Sequence, residues 1–404
     1  MKTTDYLRPA LLLAWIVFPL QGWANEWGYW RGPSSSGAAS EGASPPVTWS
    51  ETEHVKWKVR IPGQGSGTPV VWGDHLFVQT AIKVGGEETP ATQTPQEGAR
   101  PRPGSGGKGK GKGRFGKGGG GAPTAHQFVL LCLERETGEV LWRQTAAEAV
   151  PHEGHHQTHA FGSHSPVTDG EVVIGFFGSQ GIYGYDLEGK LLWSRDFGNM
   201  TMRAGFGEGN SAAISGDTLL VPWDHEGDSA LYALDLKTGE TRWKVDRPEE
   251  PTNWGSPLIL EHEGTTLAVL TGETAVRCYD LATGEELWKC SGQTMRPVAS
   301  PVTDGTNIYV GSGFRGSYFA GIALGHEGDL TGTDAVIWDI DRNTPDIASP
   351  LFSDGRLYFL SAKSAIVTCV EASNGRVLWG PERIPGLGDV YSSPTSANGM
   401  VYLV

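Results

Sequence analysis

Cysteine is scarce in this 404-residue chain, and none of its four cysteines is adjacent to another. Cys132, Cys278 and Cys369 each stand two residues before an acid (Glu134, Asp280 and Glu371) in a recurring phrase. The matching places elsewhere hold Gly184 and Ala233. A slot that accepts Cys, Gly or Ala is a small buried strand position, where a free thiol is at home. Equivalent slots in different repeats lie too far apart to bridge. With Cys290 outside the phrase, four unpaired thiols are expected rather than a disulfide framework. Charge is also sparse and its balance is acidic, with a net of −14, which argues against general affinity for nucleic acid or an anionic membrane. Long apolar runs are missing as well. Leu11 to Leu20 is the apolar core of the first two dozen residues, and it is too short for a comfortable membrane span. Lys2 and Arg8 precede it and Gly22-Trp23-Ala24 follows, the layout of a secretory leader. Residues 1–24 are therefore expected to be cleaved after Ala24, which implies a periplasmic or secreted protein with no transmembrane span. No cysteine follows to carry a lipoprotein anchor.

What is abundant is glycine (58) and tryptophan (15), a mix that suits many short strands, tight turns and aromatic packing. Two phrases recur. One opens a unit with a small residue, often Ser-Pro, at Ser66, Ser165, Ser211, Ser256, Ser300, Ser349 and Ser393. From Ser165 onward the steps are 46, 45, 44, 49 and 44 residues, a period of propellers or solenoids. The other closes the unit with an acid, a turn ending in Gly, and Trp four residues later. It reads Glu134, Gly138, Trp142; Asp186, Gly189, Trp193; Asp235, Gly239, Trp243; Asp280, Gly284, Trp288; and Glu371, Gly375, Trp379. Trp338 closes a sixth unit with Asp334 in the glycine's place. Glycine supplies the positive φ of a bulged hairpin, and the acid can accept from the turn's amides. One Trp per unit at one place predicts indoles wedged between neighbouring blades, each burying about 150–250 Å².

The intact phrase Asp280-Leu-Ala-Thr-Gly-Glu-Glu-Leu-Trp288 resembles the tryptophan-docking repeat of the PQQ-like, quinoprotein-type propellers. That family includes pyrroloquinoline-quinone (PQQ) alcohol dehydrogenases and BamB-type outer-membrane assembly factors. The resemblance runs from Trp57 to Val404. It implies an all-β, seven-bladed β-propeller of four-stranded blades over residues 54–404, preceded by an extension at 25–53. Trp57 and the segment around it, His54 to Val59, resemble a final blade strand that closes the ring. The last unit stops at Val404 after two recognisable strands, so the last blade is expected to be incomplete, through truncation, or closed by the N-terminal strand.

Residues 83–126 interrupt the first repeat. The stretch from Gly104 to Lys117 is glycine and lysine with almost nothing apolar and is expected to be a disordered insertion. A histidine cluster, His152, His155, His156 and His159 with His164 nearby, is the densest candidate metal site, for Zn or Cu. It falls in a connection between repeats, and polar loop packing or partner contact is the competing reading. Such connections gather around a propeller's central funnel, where ligands bind. Here they carry Gln64, His159, Arg203, Glu208, Asn253, Trp254, Arg296, Asp346 and Tyr391 as funnel-mouth binding candidates.

No nucleophile–base constellation is recognisable. The expectation is thus a monomeric, non-catalytic binding or scaffold module for a protein or polymer ligand, with no cofactor and no nucleic-acid partner. The alternative implied by the resemblance is a PQQ-dependent dehydrogenase with Ca²⁺. The adjacent cysteines of that family's alcohol dehydrogenases are missing, and their ligand set cannot be matched to residues here. Hydrolysis of a sugar or ester by funnel carboxylates and histidines is a third reading.

Overall fold

The computed structural model describes residues 26–85, 124–361 and 364–404; the leader at 1–24 and the Gly/Lys-rich stretch at 104–117 lie outside the described residues. Short runs rich in β-branched and aromatic residues, bounded by glycine turns, form antiparallel strands. Four successive runs make each sheet. The first holds β1 (Val70–Trp72), β2 (His75–Lys83), β3 (His126–Glu134) and β4 (Val140–Ala149). The second holds β5 (Val167–Thr168), β6 (Val172–Phe176), β7 (Ile182–Asp186) and β8 (Leu191–Arg195). β9 (Ala213–Ser215), β10 (Thr218–Trp223), β11 (Ala230–Asp235) and β12 (Thr241–Asp246) make the third. β13 (Leu258–His262), β14 (Thr265–Leu270), β15 (Val276–Asp280) and β16 (Glu286–Cys290) make the fourth.

The fifth contains β17 (Val302–Thr303), β18 (Asn307–Ser312), β19 (Tyr318–Ala323) and β21 (Val336–Ile340), while β20 (Gly328–Asp329) pairs in parallel with β16. β22 (Leu351–Ser353), β23 (Arg356–Leu360), β24 (Ile366–Glu371) and β25 (Val377–Arg383) complete the sixth. A two-stranded unit, β26 (Thr395–Ala397) and β27 (Met400–Tyr402), follows. First strands neighbour one another: β1 and β5, β5 and β9, β9 and β13, β17 and β22, β22 and β26. They surround a common axis, from which the sheets radiate as propeller blades. Burial falls outward. β6 is wholly buried, whereas β12 alternates exposed and half-buried residues.

The small slot of the closing phrase lies directly across the ladder from the tryptophan. The pairs are Cys132–Trp142, Gly184–Trp193, Ala233–Trp243, Cys278–Trp288 and Cys369–Trp379. The ladder register shifts beside each of them. In the degenerate unit the slot is Gly321, opposite Trp338. A Cβ on Gly184 would stand 2.5 Å from the Trp193 ring, so size alone sets the slot's composition. All four cysteines are free and buried.

Each indole then crosses to the next sheet's turn. Trp142 Nε1 donates to Leu187 O at 2.8 Å, Trp193 to Leu236 O at 2.9 Å and Trp243 to Leu281 O at 2.9 Å. Trp338 donates to Ala372 O at 2.8 Å and Trp57 to Arg135 O at 2.9 Å. In each case the acceptor is the residue after the acid. The indoles rest on Gly189, Gly239, Gly284, Gly375 and Gly138, whose φ values are between +67° and +85°. Any Cβ there would strike the ring within 3 Å. Glu134, Asp235 and Asp280 accept from turn amides as expected; Thr238 N–H to Asp235 Oδ1, for example, measures 2.9 Å. Trp288 is buried with β20 paired alongside it, because the degenerate turn has grown into the segment that carries β20. Trp379 is 41% exposed.

Three expectations are corrected. Residues 55–61 are not a strand, although Trp57 docks as one of the series would. A strand needs a ladder partner, and among the described residues β27 pairs only with β26. The first repeat opens at Thr68-Pro69 rather than at Ser66, since the Thr68 amide takes the repeat's hydrogen bond. The insertion is narrower than 83–126, because Lys83 and His126 are themselves paired in β2 and β3.

The opening serines form a hydrogen-bonded chain around the axis. Thr68 N–H donates to Ser165 Oγ, Ser165 to Ser211, Ser211 to Ser256, Ser256 to Ser300, Ser300 to Ser349, and Ser349 to Ser393, all at 2.8–2.9 Å. Inside this ring lies the N-terminal extension. Trp27 pairs with Val71, Gly28 O accepts from Thr168 N–H, and Tyr29 OH donates to Pro257 O at 2.6 Å. Arg31, 2% exposed, donates to Pro394 O, Pro350 O and Ser36 O at 2.7–2.8 Å. Ala38 then bridges Ser396. Only a segment within the ring of first strands reaches so many sheets at once.

Candidate functional site

One end of the sheets is occupied by the docking turns. The other gathers the turns between second and third strands with the connections from each fourth strand to the next first strand. Two sectors of this loop face carry chemistry.

The first sector is the histidine connection between β4 and β5. His152 Nε2–H donates to Met200 O at 2.7 Å, His155 Nδ1–H to His156 O at 2.8 Å and His159 Nε2–H to Glu208 O at 2.7 Å. His156 Nδ1 meets Thr158 Oγ1 at 2.9 Å. The four rings thus turn to separate partners. Among the described residues no three His, Cys, Asp or Glu side chains are grouped as a metal would require.

His152 and His155 instead wall a crevice of about 30 Å³ with Glu153, Gln180, Met202, Glu208 and the rings of Phe128, Phe161 and Phe177. A space of that size holds one or two waters. The Glu208 carboxylate accepts from Ser179 N–H at 2.8 Å and Ser179 Oγ–H at 2.5 Å. Burial pushes its carboxyl up despite those bonds. Burial also pulls His159 down, and it holds the wholly buried His164 at about 3, a neutral ring with neither nitrogen bonded.

The second sector spans sheets three to six. Asp224, at the end of β10, takes a two-pronged pair from Arg247 at 2.8 and 3.0 Å and a bond from Asn253 Nδ2 at 3.2 Å. Arg247 also donates to Tyr279 OH at 2.6 Å, and all of this is buried. Above it Arg203 pairs with Glu226 at 3.0 Å and with Glu273, which in turn accepts from the Arg296 amide at 3.1 Å. Trp254 Nε1–H donates to Gly207 O at 2.8 Å, joining the two sectors. Arg296 stacks 3.8 Å from the Phe314 ring centroid and lies 3.6 Å from Asp346, whose carboxyl burial pushes up.

Of the sequence candidates, Arg203, Glu208, Asn253, Trp254, Arg296 and His159 thus belong to one hydrogen-bonded face, with Asp346 in ion-pair range of Arg296. Gln64 is exposed and joins β2 by its backbone alone in the bonds described, and Tyr391 is 40% exposed outside the network. Sequence reasoning missed Ser179, Asp224, Arg247, Glu273 and Phe314. None of them sits in a repeated phrase; only the charge of Asp224, just after the apolar β10, could have signalled burial.

The architecture is that of a β-propeller built from tryptophan-docked repeats. Residues 124–320, just under half of the chain, match the sequence family described as outer membrane protein assembly factor BamB, and this stretch is similar to the PQQ-like, BamB-type β-propeller repeats. A europium-containing methanol dehydrogenase superimposes with a TM-score of 0.53 at 11% identity, over 92% of this chain and 87% of that one, a likeness of fold. BamB from Moraxella catarrhalis aligns with a TM-score of 0.47 at 15% identity, over 69% of this chain and 76% of that one. A tetrathionate hydrolase of Acidithiobacillus ferrooxidans is 25% identical over 217 residues, 45% of this chain and 40% of that protein. The chain spans less than half the length of this curated relative.

A quinone and its Ca²⁺ would need clustered oxygen ligands. Three carboxylates of the loop face are instead committed, Asp224 to Arg247, Glu208 to Ser179, and Glu250 to Thr274 and Arg277, and the buried Asp346 faces Arg296 at 3.6 Å. Among the described residues the donor set does not fit that group.

Proposed function

We propose that this chain is an exported, monomeric, non-catalytic binding module that engages a protein or polymer through its loop face. In this reading β26–β27 and the Trp57 segment belong to a seventh blade. The observation that carries the proposal is the asymmetry of the two ends. The docking end spends its side chains on neighbouring sheets, and the N-terminal extension fills the axis. The loop face presents guanidiniums, carboxylates and aromatic rings already fixed by mutual bonds, so little ordering entropy is lost on binding. Photo-crosslinking amino acids placed at Met295 and Tyr391 on the loop face, and at Glu188 and Lys237 on the docking end, test it in the native envelope. Adducts from the loop face alone are expected; adducts from the docking end alone, or equally from both, overturn the proposal. Adding Ca²⁺ and PQQ to the same protein tests the dehydrogenase alternative, for which a stoichiometric chromophore with dye-linked alcohol oxidation is required.

A hydrolytic reading has one observation in its favour. Glu208 is a buried carboxyl of raised proton affinity beside Ser179 and His159, the tuning expected of a general acid. The partial likeness to a tetrathionate hydrolase supplies a substrate to try. Hydrolysis that Glu208→Gln abolishes without lowering Tm would establish it.

A further inference from the structure

Buried polar atoms normally find partners. Five that do not lie together on the loop face of sheets four to six: Gln293 Nε2 and Oε1, Thr294 Oγ1, Arg296 Nε and Asp346 Oδ1. Asp346 is 7% exposed, and its 3.6 Å approach to Arg296 is too long for a hydrogen bond. The backbone around them is held in the left-handed region at two arginines, with φ of +60° at Arg296 and +54° at Arg315. Non-glycine residues adopt that conformation only at an energetic cost, and it collects at ligand sites. The Phe314 ring meets both guanidiniums, 3.8 Å from Arg296 and 5.4 Å from Arg315, and the close stack helps to fix the direction of Arg296. Met295, 40% exposed, sits in the same loop at the surface.

The five atoms are not all of one kind. Gln293 Nε2 and Arg296 Nε donate, Gln293 Oε1 and Asp346 Oδ1 accept, and Thr294 Oγ1 does either. An anion would meet the acceptors as repulsion, and a cation would meet the donors so. Local charge is balanced as well, with Arg203, Arg296 and Arg315 set against Glu226, Glu273 and Asp346. A ligand of hydroxyl groups, each able to donate and accept, matches this set.

We infer that the loop carrying Gln293, Thr294 and Arg296, with Asp346 and Phe314, is a binding site for a neutral carbohydrate. This rests on the loop-face reading above and names its ligand class. The sugar hydroxyls supply the partners that these polar atoms lack. Gln293 then spans one hydroxyl with its amide nitrogen and another with its oxygen, and Asp346 accepts from a third.

The test uses the full exported chain with neutral hexasaccharides of glucose, xylose and mannose, alongside an oligogalacturonate, in calorimetric titrations and saturation-transfer NMR. At least one neutral hexasaccharide is expected to bind. Gln293→Leu is expected to weaken it tenfold or more while leaving Tm unchanged or raised, since an unpaired buried amide is removed. A purely structural Gln293 would instead lose Tm. Lys237→Ala, on the docking end, should bind as the unaltered protein does. The inference is overturned if no neutral hexasaccharide binds at millimolar concentration, if only the charged oligosaccharide binds, or if Gln293→Leu binds undiminished. Crosslinking through the loop face without sugar binding would sink the ligand class and leave the loop-face reading standing. Failure of both would remove both.

Discussion

At one end of each sheet an acid, a glycine and the preceding sheet's indole recur with nearly the same hydrogen bonds. At the other end no two connections use the same residues. Trp142, Trp193 and Trp243 donate to the carbonyl at one position of successive turns, whereas the loop face joins Asp224 to Arg247 in one place and Glu208 to Ser179 in another. The docking end is a single solution repeated, because each sheet has the same problem of covering its neighbour. The loop face is free of that duty, and its bonds differ from sheet to sheet.

The comparison breaks if the loop face matters to the fold as much as the docking end does. Asp224→Ala leaves Arg247 buried without its partner and should cost about 3–5 kcal/mol by denaturant unfolding. Trp193→Ala should cost a similar ~3–5 kcal/mol through the cavity it opens. A loss below about 1 kcal/mol for Asp224→Ala would make that pair dispensable and leave stability with the docking end alone.

Next in size is the serine chain. Ser256→Ala strips the acceptor from the buried Ser211 amide and should cost about 1–3 kcal/mol. Stability unchanged by this variant would mean the amide finds another acceptor.

Titration sharpens the comparison further. His164 binds its proton far less readily when folded, at about 3, than the ordinary imidazole does unfolded. Its contribution is therefore complete above about pH 6.5 and is lost as pH falls toward 3. His164→Phe should flatten the decline of stability across that window in pH-dependent melting; an unaltered slope would place the sensitivity elsewhere. The smallest effect belongs to Trp379, which is 41% exposed. Trp379→Ala should cost less than about 1 kcal/mol, and a loss rivalling that of Trp193→Ala would show a covering partner.

The docking end was legible in the sequence because its parts sit at fixed spacing: glycine four residues before tryptophan, with the acid just ahead. Even the small slot was visible, although its cause, the indole directly across the ladder, needed the register. Gly321 escaped because the degenerate turn moved it out of phase. The opening serines were visible as positions but not as a chain of bonds, since the acceptor of each amide lies one repeat away. Asp224 and Arg247 were illegible for a different reason. They are 23 residues apart in no repeated phrase, and charge alone does not say which partner a buried group will find. The histidines were conspicuous by their density, yet their rings are spent on nearby backbone and hydroxyl partners.

The N-terminal extension also sets the order of events in folding. Arg31 bonds to Pro394, 363 residues away, and Tyr29 to Pro257, 228 residues away. Contacts of such separation repay their loop-closure entropy only after the intervening sheets have formed. The first described residues are therefore among the last to settle. A refolding experiment that follows Trp27 and Trp30 should find them fixed after the sheets, in a slow phase that Arg31→Ala removes.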